Sequence, residues 1–246
     1  MSQPRDLTDF GEFLRHAERE GTEYTVIGGC AVGAYARIAG EAVFSAALDL
    51  YLSQDALNEL LRWAERQGAH VLKRPKPRAV PVALIDWHGL EINALTSSFG
   101  LPEPEVLTRT AREFHIQSLG LSVPIADPFD LLANKLTINR PKDQPHIEIL
   151  MRFIEAEVVH DFSGEGSARH RLSSAKRLLA VTERKTLSTS LIERLLPHAD
   201  TLPLFSFLAA HCETEDVGAS IYARSHTVLT SEEAHHVAQL LSRRFS

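Results

Sequence analysis

The sequence has few of the features that mark secreted, disulfide-stabilised or membrane-spanning proteins. Its two cysteines, Cys30 and Cys212, lie far apart and show no metal-binding spacing, which argues against a disulfide framework and a zinc site. No apolar run approaches the roughly 20 residues that cross a bilayer. The first residues also lack the apolar stretch of a signal peptide. We therefore expect a cytoplasmic protein that has no membrane partner.

An excess of positive charge is also absent, because the formal net charge is −6. This charge argues against a protein that coats nucleic acid by bulk electrostatics, although local basic patches leave room for a nucleic-acid partner. One patch lies in a segment that prolines keep out of a helix, and it comprises Lys73, Arg74, Lys76 and Arg78. These side chains are candidates for contact with an RNA backbone, and a solvated loop is the alternative.

The composition and the hydrophobic patterning define the expected architecture. A hydrophobic content of 44% over 246 residues allows one large domain or two small ones. In residues 1–126, helical stripes alternate with short strand-like segments, which predicts a mixed β-sheet flanked by helices. From Asp127 onwards the apolar residues recur at helical spacing. The predicted fold class is therefore α/β with a helical C-terminal half, and the predicted domains are residues 1–126 and 127–246.

The most informative segment runs from Tyr24 to Leu52 and reads as a strand, a glycine pair, a short helix and a second strand. Gly28 and Gly29 have no side chain to keep the backbone away from an anionic ligand. The helix after them would point its partly positive N-terminus at that ligand. The second strand presents Asp49, whose carboxylate suits Mg²⁺. This order of elements predicts a triphosphate site.

Strand alternation predicts which side chains accompany Asp49. Ala47 and Asp49 would point to the same face of their strand, and Glu91 and Asn93 would share one face of the strand Leu90–Leu95. If the two strands are neighbours in the sheet, Asp49 and Glu91 would converge on one metal ion. Glu91 is favoured because it is the only carboxylate on that face, and the alternatives are Asn93 and no ligand at this position.

These motifs resemble the nucleotidyltransferase fold of the DNA polymerase β superfamily, and most closely its AbiEii/AbiGii (MenT-like) toxin branch. In that branch the acidic strand has a five-residue pattern: a hydroxyl residue, any residue, an aspartate, a hydrophobic residue and a second aspartate. The same positions here run from Ser45 to Asp49, and Ala47 stands where the branch has its first metal-binding aspartate. A helical lysine followed by an Arg-x-Lys-Asp run also matches the branch, so the resemblance extends over residues 24–150.

The resemblance implies a role for each matching residue. The catalytic positions are Asp49, Ala47 and Asp143. The nucleotide-binding positions are Gly28, Gly29, Ser45, Lys135, Arg140 and Lys142. The Mg²⁺ ligands are Asp49 and Glu91. Asp143 would position the attacking hydroxyl, whereas the basic side chains would neutralise phosphate charge.

The same resemblance implies a reaction and its partners. A nucleoside triphosphate would donate a nucleoside monophosphate to an RNA, such as the acceptor end of tRNA, by a two-Mg²⁺ mechanism. The protein would be the toxin of a toxin–antitoxin system and would have a cognate antitoxin partner. Ala47 implies that this form is silent or impaired, and both a deliberate Asp→Ala replacement and natural loss would explain it. Two alternatives are a non-catalytic module that binds a nucleotide or a partner, and an antibiotic-type adenylyltransferase that acts on a small molecule.

Overall fold

The computed structural model describes residues 4–75 and 82–246. Backbone contacts divide the chain into two compact units, residues 1–153 and 154–246. The predicted division into domains at Asp127 stays a prediction. Two members of the predicted basic patch, Lys76 and Arg78, lie outside the described residues, and Arg74 forms an ion pair with Glu65.

The described part of the first unit is built on a seven-stranded mixed sheet, with the strand order β3-β4-β5-β2-β1-β7-β6. The strands are β1 (Thr25–Ile27), β2 (Ala47–Tyr51), β3 (His70–Lys73), β4 (Val82–Trp87), β5 (Leu90–Leu95), β6 (Arg112–Ile116) and β7 (Leu121–Ile125). β2 pairs in parallel with β5, and β1 pairs in parallel with β7. The other neighbouring strands are antiparallel. β1, β2 and β5 therefore lie side by side in the middle of the sheet.

The helices of the first unit are α1 (Gly11–Arg19), α2 (Gly28–Ile38), α3 (Gln54–Arg66), α4 (Pro104–Thr110), α5 (Pro128–Ile138) and the first half of α6 (Gln144–Ser163). Their ends follow local chemistry. The Ser53 side chain caps α3, and the Asp127 side chain caps α5. Asn139 ends α5 in the left-handed conformation, with φ of 49°. Both tryptophans, Trp63 and Trp87, are buried in this unit with ring centroids 5.6 Å apart.

The described part of the second unit is helical. It contains the second half of α6 followed by α7 (Ala168–Arg171), α8 (Ser173–Thr182), α9 (Thr189–Leu195), α10 (Leu202–His211), α11 (Glu215–Val228) and α12 (Ser231–Phe245). The buried Arg171 guanidinium stabilises it internally by donating to the Phe162 carbonyl and pairing with Asp200 at 2.8 Å. The predicted architecture, a mixed sheet flanked by helices and followed by a helical C-terminal half, is confirmed.

Within the part of the chain that the structure describes, no helix is both long enough and apolar enough to cross a bilayer.

Candidate functional site

The glycine pair lies against two side chains, one from the middle of β2 and one from the segment just before it. β1 ends at Ile27 and α2 begins at Gly28, whose φ of +68° favours glycine. A Cβ atom at Gly28 would lie 2.0 Å from Asp49 Oδ2, and one at Gly29 would lie 2.8 Å from Ser45 Oγ. A side chain at Gly28 would therefore have to displace Asp49, and one at Gly29 would have to displace Ser45.

Asp49 has Asn93 as its direct neighbour on the parallel strand β5. Asn93 Nδ2 donates a hydrogen bond to Asp49 Oδ1 at 2.8 Å. Burial raises the pKa of Asp49, although the Asn93 hydrogen bond and the charge of Lys135 act in the opposite direction. Asn93 Oδ1 is buried and accepts no hydrogen bond from the described residues. This arrangement leaves a carbonyl oxygen without a donor beside a partly buried carboxylate.

The strand register determines which residues are available to hold Mg²⁺. Glu91 lies opposite Ala47 in the parallel β2–β5 pair, so Asn93 and not Glu91 occupies the position beside Asp49. The described residues contain no group of three or more His, Cys, Asp or Glu side chains that could hold a metal ion. One carboxylate and one amide oxygen do not supply the donors that a pair of Mg²⁺ ions needs. The site therefore does not fit a two-metal centre, and Glu91 as a metal ligand stays a prediction.

The predicted phosphate-binding cluster is organised around a buried ion pair. Lys135 Nζ of α5 donates to Asp143 Oδ1 at 2.8 Å, and the two side chains are only 4% and 2% exposed. Arg140 Nε donates to Asp143 Oδ2 at 2.6 Å, and the Arg140 side chain is 47% exposed. Burial opposes ionisation of Asp143, but the hydrogen bonds from Arg140 and Lys135 outweigh it and lower its pKa to about 2. Arg140 and Lys142 are thus the cations of this cluster that reach solvent.

His146 was not predicted as a site residue. It lies close both to this cluster and to the turn at Gly28 and Gly29, which is called the glycine turn below. Its Cε1 atom lies 3.7 Å from the Cβ position at Gly29, and its Nδ1 atom lies 3.8 Å from Asp143 Oδ1. Burial and the charge of Lys135 lower the pKa of His146, so its imidazole is neutral near neutral pH. The Nδ1 atom is buried and makes no hydrogen bond to the described residues. Its position three residues after Asp143 is the sequence signal that could have identified it.

We expect Asp49→Asn to raise the thermal midpoint of unfolding by about 2–4 °C at neutral pH, the shift that ~1 kcal/mol produces in a domain of this size. The reason is that burial destabilises the charged form of Asp49, and asparagine has a similar shape without the charge. The folded carboxyl binds its proton more tightly than the unfolded one, so the wild type gains stability as the pH falls. The advantage of Asp49→Asn should therefore vanish towards about pH 4. Thermal unfolding across this pH range measures it, and a lower midpoint for Asp49→Asn at neutral pH would contradict the argument.

Comparison with known proteins found no matching family model and no matching curated protein. Solved structures that show some similarity of the backbone include the following three. A crystal structure of ANT(2″)-Ia in complex with adenylyl-2″-tobramycin has a TM-score of 0.45 and 12% identity, covering 70% of this chain and 97% of its own. A solution structure of the antibiotic-resistance factor ANT(2″)-Ia has a TM-score of 0.43 and 14% identity, covering 72% and 94%. An antigenic nucleotidyltransferase-like protein from Paracoccidioides brasiliensis has a TM-score of 0.36 and 12% identity, covering 87% and 99%.

Proposed function

We propose that the chain is a nucleotidyltransferase-fold protein of the toxin type, which binds a nucleoside triphosphate at the glycine turn and whose transfer reaction is silenced by Ala47. In its active form the protein would transfer a nucleoside monophosphate to an RNA acceptor such as tRNA, and an antitoxin would restrain it. The observation that carries the proposal is the packing of Gly28 on Asp49, with Gly29 against Ser45.

Nucleotide binding is supported by the exposed charges and by the first turn of α2. The N-cap residue of this helix, Ile27, makes no side-chain cap hydrogen bond, so the first N–H groups keep their capacity to donate to phosphate oxygens. Burial raises the pKa of Asp49, and Lys135, Arg140 and Lys142 are close enough for their charges to oppose that rise. An anion at the glycine turn would therefore lie in a positive field, and Arg140 and Lys142 would meet it from solvent.

Loss of transfer is supported by the chemistry of position 47. Ala47 has a methyl group at the position where a second metal-binding carboxylate would be needed. Its neighbour on the adjacent strand β5 is the exposed Glu91. Asp49 is the carboxylate that packs against Gly28. Its Oδ1 atom already accepts from Asn93, so the remaining residues can position a triphosphate without activating it.

A non-catalytic nucleotide-binding module is the second candidate function. The specific observation that favours it is that Asp49 already has a hydrogen-bond partner and that Lys135 is already paired with a carboxylate. Protein groups alone thus partner Asp49 and Lys135, as expected for a protein that retains binding after losing the reaction. An antibiotic-type adenylyltransferase would differ from both in requiring a small-molecule acceptor.

We expect the double substitution Arg140→Gln, Lys142→Gln to weaken the affinity for a nucleoside triphosphate about tenfold or more. Each charge-assisted contact to phosphate contributes about 1.5–3 kcal/mol when desolvated and less at exposed positions. Calorimetric titration of the full chain with each of the four ribonucleoside triphosphates measures this effect. The thermal midpoint should change little, because glutamine can still donate to Asp143.

The matched control is Arg169→Gln, Lys176→Gln, which removes the same charge from exposed positions of the second unit. Equal weakening by both double variants would assign the binding to overall charge and would remove the basic cluster from the site. Binding of no triphosphate by the wild type would contradict both candidate functions.

A further inference from the structure

A cleft lies beyond the start of β1 and the end of β2, on the side of the β1–β2 pair away from Asp49. Ile27 is opposite Asp49 in the antiparallel β1–β2 pair, and Thr25 is opposite Tyr51 towards the cleft. Tyr24, just before β1, and Ser53, just after β2, line a cavity of about 660 Å³. This volume falls in the range of small-molecule sites, roughly 300–1,000 Å³.

The walls of this cleft carry an excess of unpaired negative charge. Four glutamates line it, namely Glu18, Glu23, Glu105 and Glu113. The cation among the described lining residues is Arg109, whose Nε atom donates to a backbone carbonyl. No ion pair within the described part of the chain involves any of the four glutamates. Four carboxylates around one cavity favour a ligand with several positive charges.

Tyr24 supplies a second and independent indication of a ligand. Its side chain lines the cavity, the residue is only 6% exposed, and its hydroxyl makes no hydrogen bond to the described residues. The hydroxyl is not among the fully buried polar atoms of the described residues, so it keeps access to the cleft that Tyr24 lines. Burial raises the pKa of Tyr24, and the charges of Glu18 and Glu113 raise it further, so the phenol stays neutral and its oxygen can accept a hydrogen bond.

The spacing of the carboxylates distinguishes an organic cation from a metal ion. A Ca²⁺ or Mg²⁺ site needs oxygens that converge on one point at about 2.0–2.6 Å. The described residues contain no cluster of three or more His, Cys, Asp or Glu side chains with that property, and here the glutamates are spread around the cavity. Pro104 and Pro124 add apolar surface to the same cavity. Separated charges and apolar surface in one cavity match ammonium groups joined by methylene chains.

We propose that this cleft binds an aliphatic polyamine. Its ammonium groups donate to the carboxylates of Glu18 and Glu113 and to the Tyr24 oxygen, and its methylene segments pack on Pro104 and Pro124. This inference does not depend on the nucleotide site, because the two sites lie at opposite ends of the β1–β2 pair and share no residue. Either one can fail without the other.

The test is calorimetric titration of the full chain with spermidine at low ionic strength. We expect saturable binding that Glu18→Gln, Glu113→Gln weakens at least about tenfold and that Tyr24→Phe weakens about threefold to tenfold. Tyr24→Phe removes only the hydroxyl, and its thermal midpoint confirms that the variant is folded. The control is Glu193→Gln, Glu213→Gln, which removes the same charge from exposed positions of the second unit and should change the affinity less than twofold.

Three outcomes would overturn the proposal. One is the absence of saturable spermidine binding to the wild type. Another is an equal loss of affinity in the control variant, which would assign the binding to the acidic surface as a whole. The third is displacement of spermidine by Mg²⁺ but not by NaCl at the same ionic strength. That result would make the cleft a general site for divalent and organic cations.

Discussion

Replacing Ala47 with aspartate is expected to raise Mg²⁺-dependent transfer of a nucleoside monophosphate to RNA on the order of a thousandfold over the wild type. The new carboxylate would leave β2 on the same face as Asp49, two residues away, and would supply the donor that the present site lacks. The assay is transfer from labelled nucleoside triphosphates to total RNA, together with growth on expression. Labelling of a small-molecule acceptor alone would favour an adenylyltransferase of the antibiotic type.

The same substitution should have a cost in stability that depends on the metal. Ala47 is 6% exposed and is opposite Glu91, so an aspartate at this position would place a buried charge beside two other carboxylates. We expect the thermal midpoint of Ala47→Asp to fall without Mg²⁺ and to recover when Mg²⁺ is added, because the metal ion binds only the folded site. The wild-type midpoint should be insensitive to Mg²⁺ at the same ionic strength.

Ala47→Asn is the control, since asparagine has nearly the same shape as aspartate but no charge. Activity and Mg²⁺-dependent stability in Ala47→Asp alone would support a silenced transferase. If both variants are inactive and Mg²⁺ changes neither thermal midpoint, the silenced-transferase hypothesis is contradicted. The nucleotide-binding module would then remain as the proposed function.

The part of the site that the sequence predicted well is the part that depends on local chemistry. A glycine pair between a strand and a helix pattern defines a turn within a few residues, and Gly28 has the positive φ that such a turn requires. Strand alternation likewise predicted the face of Asp49 and of Asn93. Alternation does not predict how far two strands are offset along each other. For this reason the sequence left Glu91 and Asn93 open, and only the β2–β5 register places Asn93 beside Asp49.

The sequence did not predict that Lys135 and Asp143 of the basic cluster are buried. The apolar spacing of α5 predicted its helix, but a lysine at the edge of an apolar stripe can either reach solvent or turn inward. Its direction depends on Asp143, eight residues later, which the left-handed turn at Asn139 brings back to Lys135. A phosphate-binding role for Lys135 stays a prediction, and the structure adds a structural role that can be tested separately.

Asp143→Ala is expected to lower the unfolding free energy of the first unit by about 3–5 kcal/mol, whereas Lys135→Met should lower it by only about 1–2 kcal/mol. The two losses of stability differ because each substitution leaves a different partner in place. Without Asp143, the ammonium of Lys135 is buried with no carboxylate to pair with. Without Lys135, Asp143 keeps its hydrogen bonds from Arg140. Urea unfolding followed by tryptophan fluorescence measures this unit selectively, because Trp63 and Trp87 both belong to it.

The double variant Lys135→Met, Asp143→Leu separates buried charge from lost packing. Removing both partners leaves no unpaired charge, so its stability should return to within about 1–2 kcal/mol of the wild type. The folded carboxyl of Asp143, with its pKa of about 2, releases its proton more readily than the unfolded carboxyl at 3.8. Its stabilising effect is therefore present above about pH 4 and is lost as the pH falls towards 2, by on the order of 2 kcal/mol. The double variant should lose less stability over that range, and an equal acid loss in both proteins would show that Asp143 is not the group that stabilises this unit.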